Sequence, residues 1–324
     1  MQRNVLMTLA EDPKNSGSDR FAVKYGVDEE DCFRFAHALE EWGDNTFFVN
    51  WDDYSRGEFS RMFHFNSSRF VEPVGINSMD LIFSYKQEGF LFEENWERYE
   101  AMLARFQESP AIVVNDPATI RWNRSKDYLF GLADAGVSVI PTFEIGGDIR
   151  NRIGLGEKFI IKPKVGERGL DQTLVDHAGG LLSLNGEDAL YLAQEFCPEV
   201  RNGERSLVFI GMEYSHGVIK RPDPESPNEY RCNESRGGTV AAYDPMPAEL
   251  EFATDLLDHI SQEHPVHFSR IDFVEVDGLP VLMEAELLNP SIYANYTGVG
   301  KEFGRKLGRY FDGLMVDAPV AVAV

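Results

Sequence analysis

The stretch His267-Phe-Ser-Arg-Ile-Asp-Phe-Val-Glu-Val-Asp-Gly-Leu-Pro-Val-Leu-Met-Glu-Ala-Glu-Leu-Leu-Asn-Pro290 decides the reading of this chain. It reads as two apolar strands joined at Asp277-Gly278, with acids inside both. Alternation puts Ile271 and Phe273 on one face of the first strand and Arg270, Asp272 and Val274 on the other. In the second strand Val281, Met283, Ala285 and Leu287 share a face, and Leu282, Glu284, Glu286 and Leu288 share the opposite one. A three-residue loop, Asp277-Gly278-Leu279, with glycine at the positive-φ position, sets Asp272 opposite Glu284 and Arg270 opposite Glu286. Two carboxylates facing each other across a ladder repel, and burying them without a counter-charge is costly. A divalent cation between them removes that penalty, and hard oxygen ligands suit magnesium. The other reading is a solvated strand face whose acids serve solubility. It leaves unexplained why every acid falls between apolar residues.

The 324 residues include 54 acidic and 31 basic ones, a formal charge of -23. That balance disfavours nucleic-acid backbone and anionic membrane as partners, since both attract basic surfaces. Any phosphate handled here must be met by a few local cations, by backbone N–H groups or by a metal. Cys32, Cys197 and Cys232 have no close spacing, so neither a disulfide framework nor a zinc site is indicated. The first ten residues lead at once into Glu11 and Asp12, and no run is long and apolar enough to span a bilayer. The expectation is a soluble, cytoplasmic protein of two or three structural units.

Strands over 5–9, 46–49, 81–84 and 111–114, interleaved with helices over 28–42 and 96–106, predict an α/β unit with a mostly parallel sheet. Asp116 is placed to cap a helix whose first residue is Pro117, and a second helix is predicted over 125–135 with Gly136 as its stop. Beyond it the pattern becomes strand-rich, at 137–141, 158–163, 207–210 and 218–220, before the acidic hairpin.

Several residues break local rules. Lys126 is predicted in the first turn of its helix, where a cation costs roughly 0.3–1 kcal/mol unless an anion binds there. Lys162 ends the apolar run Phe159-Ile-Ile-Lys-Pro163, on the same face as Ile160; snorkelling to solvent is the alternative. The loop that follows carries Gly166 and Gly169, which let backbone N–H groups close over a phosphate, although it is no P-loop and serves equally as a plain turn. Gln194-Glu-Phe-Cys197 leaves a strand into a proline turn, a shape suited to meeting an adenine edge or simply to a strand end. Arg231, Asn233 and Arg236 crowd around Gly237-Gly238; their forks suit phosphate and carboxylate, or pairing with Glu229 and Glu234. His259, His264 and His267 lack a recognised metal-ligand spacing.

In this order the motifs resemble the ATP-grasp superfamily, on the branch of bacterial glutathione synthetase and of natural-product ligases such as the cycloserine-forming one. The resemblance covers residues 115–296, from Asn-Asp-Pro through Phe-Ile-Ile-Lys-Pro and Gln194-Glu195 to Arg270-Ile-Asp272, Glu284-Ala-Glu286 and Asn289-Pro290. It implies a three-domain α/β fold, α+β in its ATP-grasp part. An N-terminal substrate-side domain over 1–120 carries the parallel sheet, a central ATP-binding lid spans 121–194, and a C-terminal domain with the metal site spans 195–324. It implies that Lys126, Lys162, Gly166 and Gly169 hold the ATP phosphates, that Glu195, Phe196 and Cys197 meet adenine, and that Glu204 meets the ribose. Asp272, Glu284 and Glu286 occupy the magnesium positions, for one or two ions with manganese able to substitute. Glu286 departs from glutathione synthetase, which usually has Asn there; metal binding survives the change, whereas the substrate assignment weakens. Arg205, Arg231 and Arg270 are the implied catalytic arginines. Asn233, Gly237, Gly238, Asn289 and Ser291 fall on the substrate side, and Lys86 follows a strand whose C-terminal end suits a ligand or leaves it a plain surface lysine.

The implied reaction joins a small carboxylate to an amine at the expense of ATP, through an acyl phosphate, with loops 166–169 and 235–239 closing over it. A small-molecule kinase, glutathione synthetase proper and an ATP-binding regulatory protein are the alternatives. Intramolecular closure and joining of two molecules are both compatible with the sequence, and the resemblance implies a homo-oligomer.

Overall fold

The structure is a computed structural model that describes residues 2–9, 31–57, 60–84, 93–166, 169–176, 188–226, 229–288 and 290–317. Strand β1 (Asn4–Leu9) leads to α1 (Asp31–Trp42), β2 (Asn45–Asn50) and the short α2 (Trp51–Arg56). Asn50 starts α2 by accepting from the Asp52 and Asp53 N–H groups. The hairpin β3 (Met62–His64) and β4 (Arg69–Val71) precedes β5 (Leu81–Ser84), α3 (Glu93–Glu108) and β6 (Ile112–Val114). The sheet runs β4-β3-β2-β1-β5-β6, parallel from β2 to β6 as predicted. The antiparallel β3–β4 edge has no sequence signal, because its strands are too short to display a period. Leu6 and Ile82 pack on Met102 and Phe106 of α3, whereas Val5 and Met7 face α1 on the other side.

Helix α4 (Pro117–Arg124) begins as predicted, with Asp116 accepting from the Ala118 N–H at 2.7 Å. Helix α5 (Tyr128–Asp134) is shorter than predicted, so Lys126 precedes it and does not stand in its first turn. The reason is a tertiary bond: the Lys126 N–H donates to the Lys164 carbonyl at 2.8 Å, which pins this connection to the loop after the Lys162 strand. The predicted strand at 137–141 is reduced to one bridge, Val139 to Leu282, and β7 (Thr142–Glu144) starts beyond Pro141. Helix α6 (Gly147–Gly154) follows, then β8 (Phe159–Pro163), β9 (Thr173–Val175) and β10 (Tyr191–Glu195), in an antiparallel sheet β7-β10-β8-β9. Phe159, Ile161 and Ala193 pack on Ile149 and Ile153 of α6. Alternation therefore turns Ile160, Lys162 and Gln194 away from α6.

The third sheet runs β13-β12-β11-β14-β15. Its strands are β11 (Glu204–Ile210), β12 (Glu213–Arg221), β13 (Thr239–Tyr243), β14 (Phe268–Val276) and β15 (Leu279–Glu286), with α7 (Pro247–Ser261) between β13 and β14. One face buries Leu207, Phe209, Ile271 and Phe273 against α5 and α7. The acidic hairpin pairs as predicted, Asp272 with Glu284 and Arg270 with Glu286, but by a different device. The turn is the two-residue Asp277-Gly278, both at positive φ (52° and 80°), and Val276 pairs with Leu279. That turn alone would set Asp272 opposite Met283; a bulge past Asp272 adds the missing residue. The bulge also corrects the face assignment. Leu282 joins Ala285 and Leu287 in the core, whereas Val281 and Met283 cluster with Val274 on the acid side.

After α8 (Ala294–Thr297), α9 (Gly300–Asp317) returns to the first sheet, burying Phe303, Leu307 and Phe311 with Val5, Met7 and Phe48. A Cβ on Gly304 would lie 2.2 Å from the Ala38 Cβ, so the α9–α1 approach needs glycine there. Gly304→Val is expected to lower Tm by about 5 °C through overpacking while leaving ligand affinity at 20 °C within about twofold, read by calorimetry and titration. No described helix is long and apolar enough to cross a membrane.

Candidate active site

A cavity of about 260 Å³ lies between the β7-β10-β8-β9 sheet and the acid-bearing face of the third sheet. Lys162 enters from β8, nearly fully buried, and its Nζ donates to Gln194 Oε1 at 2.9 Å. Lys126 enters from the α4–α5 connection, with its Nζ 2.8 Å from the Gly166 carbonyl and 3.1 Å from Glu284 Oε1. The opposing face is ordered by register. Glu204 pairs across the ladder with Lys220, Ser206 with Asp272, Asp272 with Glu284 and Arg270 with Glu286. Asp272 accepts from Arg270 Nε at 2.9 Å, Arg270 Nη2 at 2.8 Å and Ser206 Oγ at 2.6 Å, with Lys220 Nζ at 3.6 Å.

These charges set one another's proton affinities. Burial alone would raise the Asp272 pKa; Arg270 and Lys220 outweigh it and hold the carboxyl at about 2. Burial likewise opposes ionisation of Glu284, and Lys126 and Lys162 turn its shift downward. Lys162 is the exception. Desolvation dominates there, with Lys126 adding repulsion against the attraction of Glu284, and its pKa falls to about 8. Lys220 goes the other way, because Asp272 and Glu204 overcome its burial.

Most of the sequence-derived residues meet in this cavity: Lys126, Lys162, Gly166 and Gly169 at the β8 side, Glu195, Phe196 and Cys197 at the strand end, and Glu204, Arg270, Asp272, Glu284 and Glu286 on the third sheet. Arg231, Asn233 and Ser291 line it as well. Arg231 forks onto Glu229, Nε to Oε1 at 2.8 Å and Nη2 to Oε2 at 2.9 Å, which is the structural alternative read from the sequence. Glu195 is held by Arg152 of α6, and its N–H donates to the Pro141 carbonyl at 2.9 Å. Arg205 does not join them. As the neighbour of Glu204 on β11 it points to the opposite face, where Glu275 lies at 3.1 Å and Glu249 at 3.5 Å. Gly237 and Gly238 also stay outside; they pack on Asp223 and on the Cys232 backbone and shape the loop. Lys86 and Asn289 lie outside the described residues. His264 stacks on Trp122 and His267 bonds the Tyr310 hydroxyl at 2.7 Å, so both have other partners.

Lys220 and Tyr293 line the cavity without having been singled out in the sequence. For Lys220 a signal exists: Val218-Ile-Lys220 ends an apolar strand in lysine, the pattern that marks Lys162. Tyr293 has none. Its ring lies 5.8 Å from Lys220 Nζ and 5.7 Å from the Arg270 guanidinium, placed by a left-handed backbone at φ 54°. With Arg205 pointing away, Arg205→Met is expected to leave nucleotide affinity within about twofold and to cost stability only, roughly 1 kcal/mol, for its half-exposed Glu275 pair. Denaturant unfolding beside a nucleotide titration reads both.

No protein-family model matches the chain. It is 26% identical over 240 residues to the cycloserine biosynthesis protein DcsG of Streptomyces lavendulae, covering 66% of this chain and 79% of that one. It is 26% identical over 245 residues to the glutathione synthetase of Agrobacterium fabrum, covering 64% and 72%. Its fold matches the crystal structure of the D-cycloserine synthetase DcsG with a TM-score of 0.69 at 18% identity, over 95% of this chain and 99% of that one. The chain has the fold of the ATP-grasp ligases, and its sequence is similar to a cycloserine biosynthesis protein and to a glutathione synthetase.

In this cavity three carboxylates with hard oxygens, Asp272, Glu284 and Glu286, lie on one face of β14 and β15 and are the donors that could hold a divalent cation. They are not drawn together: among the described residues no group of three or more His, Cys, Asp and Glu side chains forms a ready metal site. Asp272 is held by Arg270, Glu284 by Lys126, and Glu286 Oε1 accepts from the Leu288 N–H at 3.0 Å. Among the described residues five cations and five carboxylates line the cavity, so within a chain of net charge -23 these residues present a locally balanced surface to a polyanion. Phosphate oxygens that draw Lys126 away from Glu284 would release its carboxylate for a metal. The residues fit magnesium on that condition.

Proposed function

We propose that this chain is an ATP- and magnesium-dependent carboxylate–amine ligase acting on a small, amino-acid-like substrate through an acyl phosphate. The observation that carries the reading is the facing arrangement of Lys126 and Lys162 against Asp272, Glu284 and Glu286 across one cleft. Lys126 and Lys162 take the phosphates, and the backbone and side chains of Glu195, Phe196 and Cys197 take the adenine edge. Glu204 meets the ribose, exchanging part of its bond to Lys220. Asp272, Glu284 and Glu286 would hold the magnesium, which when bound would neutralise charge on the triphosphate and polarise the transferring phosphorus. A substrate carboxylate oxygen attacks the γ-phosphorus and the bond to the β-bridging oxygen breaks, leaving ADP and an acyl phosphate. An amine then attacks the acyl carbon, phosphate leaves with the bonding pair, and the nitrogen loses a proton. Arg270 and Lys220 stand where charge develops in both steps. No side-chain nucleophile is required, in keeping with the absence of a Ser/His/Asp or Cys/His signature from the sequence.

The twofold likeness to a cycloserine biosynthesis protein and to a glutathione synthetase supports a small substrate, closed on itself or joined to a second molecule. Pairs of amino acids and small carboxylates tested for ADP release, with hydroxylamine as trap, check the reading. A hydroxamate is expected. ADP release that yields a stable phosphomonoester and no hydroxamate identifies a kinase instead.

A further inference from the structure

The acid-bearing strand β15 is an edge strand, and an edge leaves its outward N–H and C=O groups in need of partners. Because of the bulge, the outward groups are those of Leu282, Ala285 and Leu287. Leu282 is met by backbone: its N–H donates to the Ser138 carbonyl at 2.8 Å and its carbonyl accepts from the Ile140 N–H at 2.9 Å. The other two are met by side chains. Asn123, at the end of α4 and 4% exposed, donates to the Ala285 carbonyl at 2.8 Å and accepts from the Leu287 N–H at 2.9 Å. One amide thus makes both bonds that a neighbouring strand would make. The Tyr128 hydroxyl accepts from the Ala285 N–H at 3.1 Å, and Asn115 donates to the Leu287 carbonyl. Asn115 also spans to the start of β14, accepting from the Phe268 N–H at 2.8 Å.

Neither Asn123 nor Tyr128 lines the cavity. Yet they fix the backbone of Ala285 and Leu287, the residues that flank Glu286 and adjoin Glu284. The same segment also carries Lys126, whose ammonium holds Glu284 at 3.1 Å. We infer that Asn123 is a positioning residue for the metal-binding carboxylates: it supplies the missing strand along β15 and thereby sets where Glu284 and Glu286 present their oxygens. The inference rests on the metal-site reading above and assigns to α4 a part in cation affinity that is separable from nucleotide affinity. Of the residues proposed for the nucleotide, Lys162, Glu195 and Glu204 stand on other strands, and Lys126, on this segment, is held independently by its N–H bond to the Lys164 carbonyl.

The test measures two affinities on the full chain. Mn2+ binding is followed by electron paramagnetic resonance at saturating ADP, and ADP binding alone by displacement of a fluorescent nucleotide in EDTA. Asn123→Leu keeps the heavy-atom count and branching of the side chain, removes both bonds and adds no charge. It is expected to weaken Mn2+ binding by about tenfold or more, as loss of an outer-sphere partner does, with ADP affinity in EDTA unchanged within about twofold. Equal Mn2+ affinity in the variant overturns the positioning role, as does a parallel fall of both affinities. A wild-type chain that binds ADP but no Mn2+ overturns the metal-site reading itself, which is a separate result. Should Asn123→Leu fail to fold, Tyr128→Phe carries the same comparison. It removes only the bond to the Ala285 N–H and is expected to weaken Mn2+ binding severalfold; an unchanged Mn2+ affinity overturns the proposal.

Discussion

Asp272→Asn is expected to eliminate ADP formation and to lower Tm by about 10 °C, a large combined effect for a single change. The Asp272 carboxylate is essentially fully buried and is the counter-charge of Arg270 and, at 3.6 Å, of Lys220. Its removal leaves two buried cations facing each other. Breaking a buried pair on one side costs about 3–5 kcal/mol, and a chain of this size loses roughly 2–4 °C per kcal/mol. Ser206 Oγ keeps a partner in the asparagine carbonyl, so the loss is electrostatic and not steric. The pH dependence follows from the lowered pKa. A carboxyl held at about 2 contributes stability that is fully present above its unfolded value and is lost as the pH falls toward 2. The wild type should therefore lose stability steadily in acid over that window, and Asp272→Asn should lose distinctly less. Parallel acid-unfolding slopes for the two proteins would contradict the pairing described here.

Lys162→Met is expected to do the reverse to stability while removing function. Burial holds the Lys162 pKa at about 8 against an ordinary value of 10.5, which at neutral pH costs on the order of 3 kcal/mol. The sign is opposite to that of Asp272. Between about 8 and 10.5 the unfolded chain binds more protons than the folded one, so the wild type gains stability as the pH rises through this window. Methionine fills the same space without the charge and should stabilise the fold, less whatever Gln194 loses as its partner. ATP affinity should fall by about 100-fold, the worth of one or two charge-assisted bonds to phosphate. The wild type should also take up protons on binding ATP near pH 8, because the triphosphate restores charge to Lys162. Calorimetry in two buffers of different ionisation enthalpy reads that uptake, and the same uptake in Lys162→Met would assign it to another group.

The acidic hairpin was legible because period-2 alternation and cross-strand pairing are local, and Asp272 opposite Glu284 follows from them. The bulge was not, since a residue inserted into one strand answers to sheet twist and to packing on α5 and α7. It changed the faces of Leu282, Val281 and Met283 without disturbing the acids. Arg205 is instructive in another way. It adjoins Glu204 on a strand, so alternation by itself forbids both from reaching one face. Lys126 failed as a helix residue because its N–H bonds Lys164, a contact thirty-eight positions away that no helix propensity reflects.

From the sequence alone came the chemistry: a lysine ending an apolar strand, acids inside a hairpin, and clustered arginines in a chain of strongly negative net charge. These are properties of short segments, in which burial and charge conflict within a few residues of each other. Tertiary structure alone decided which of the charges neutralise one another and what holds the acid-bearing edge. Arg231 is occupied by Glu229, Asp272 by Arg270 and Lys220, and the outer rung of β15 by Asn123. Electrostatic and hydrogen-bond partners are chosen by distance in space, which the order of residues along the chain does not encode.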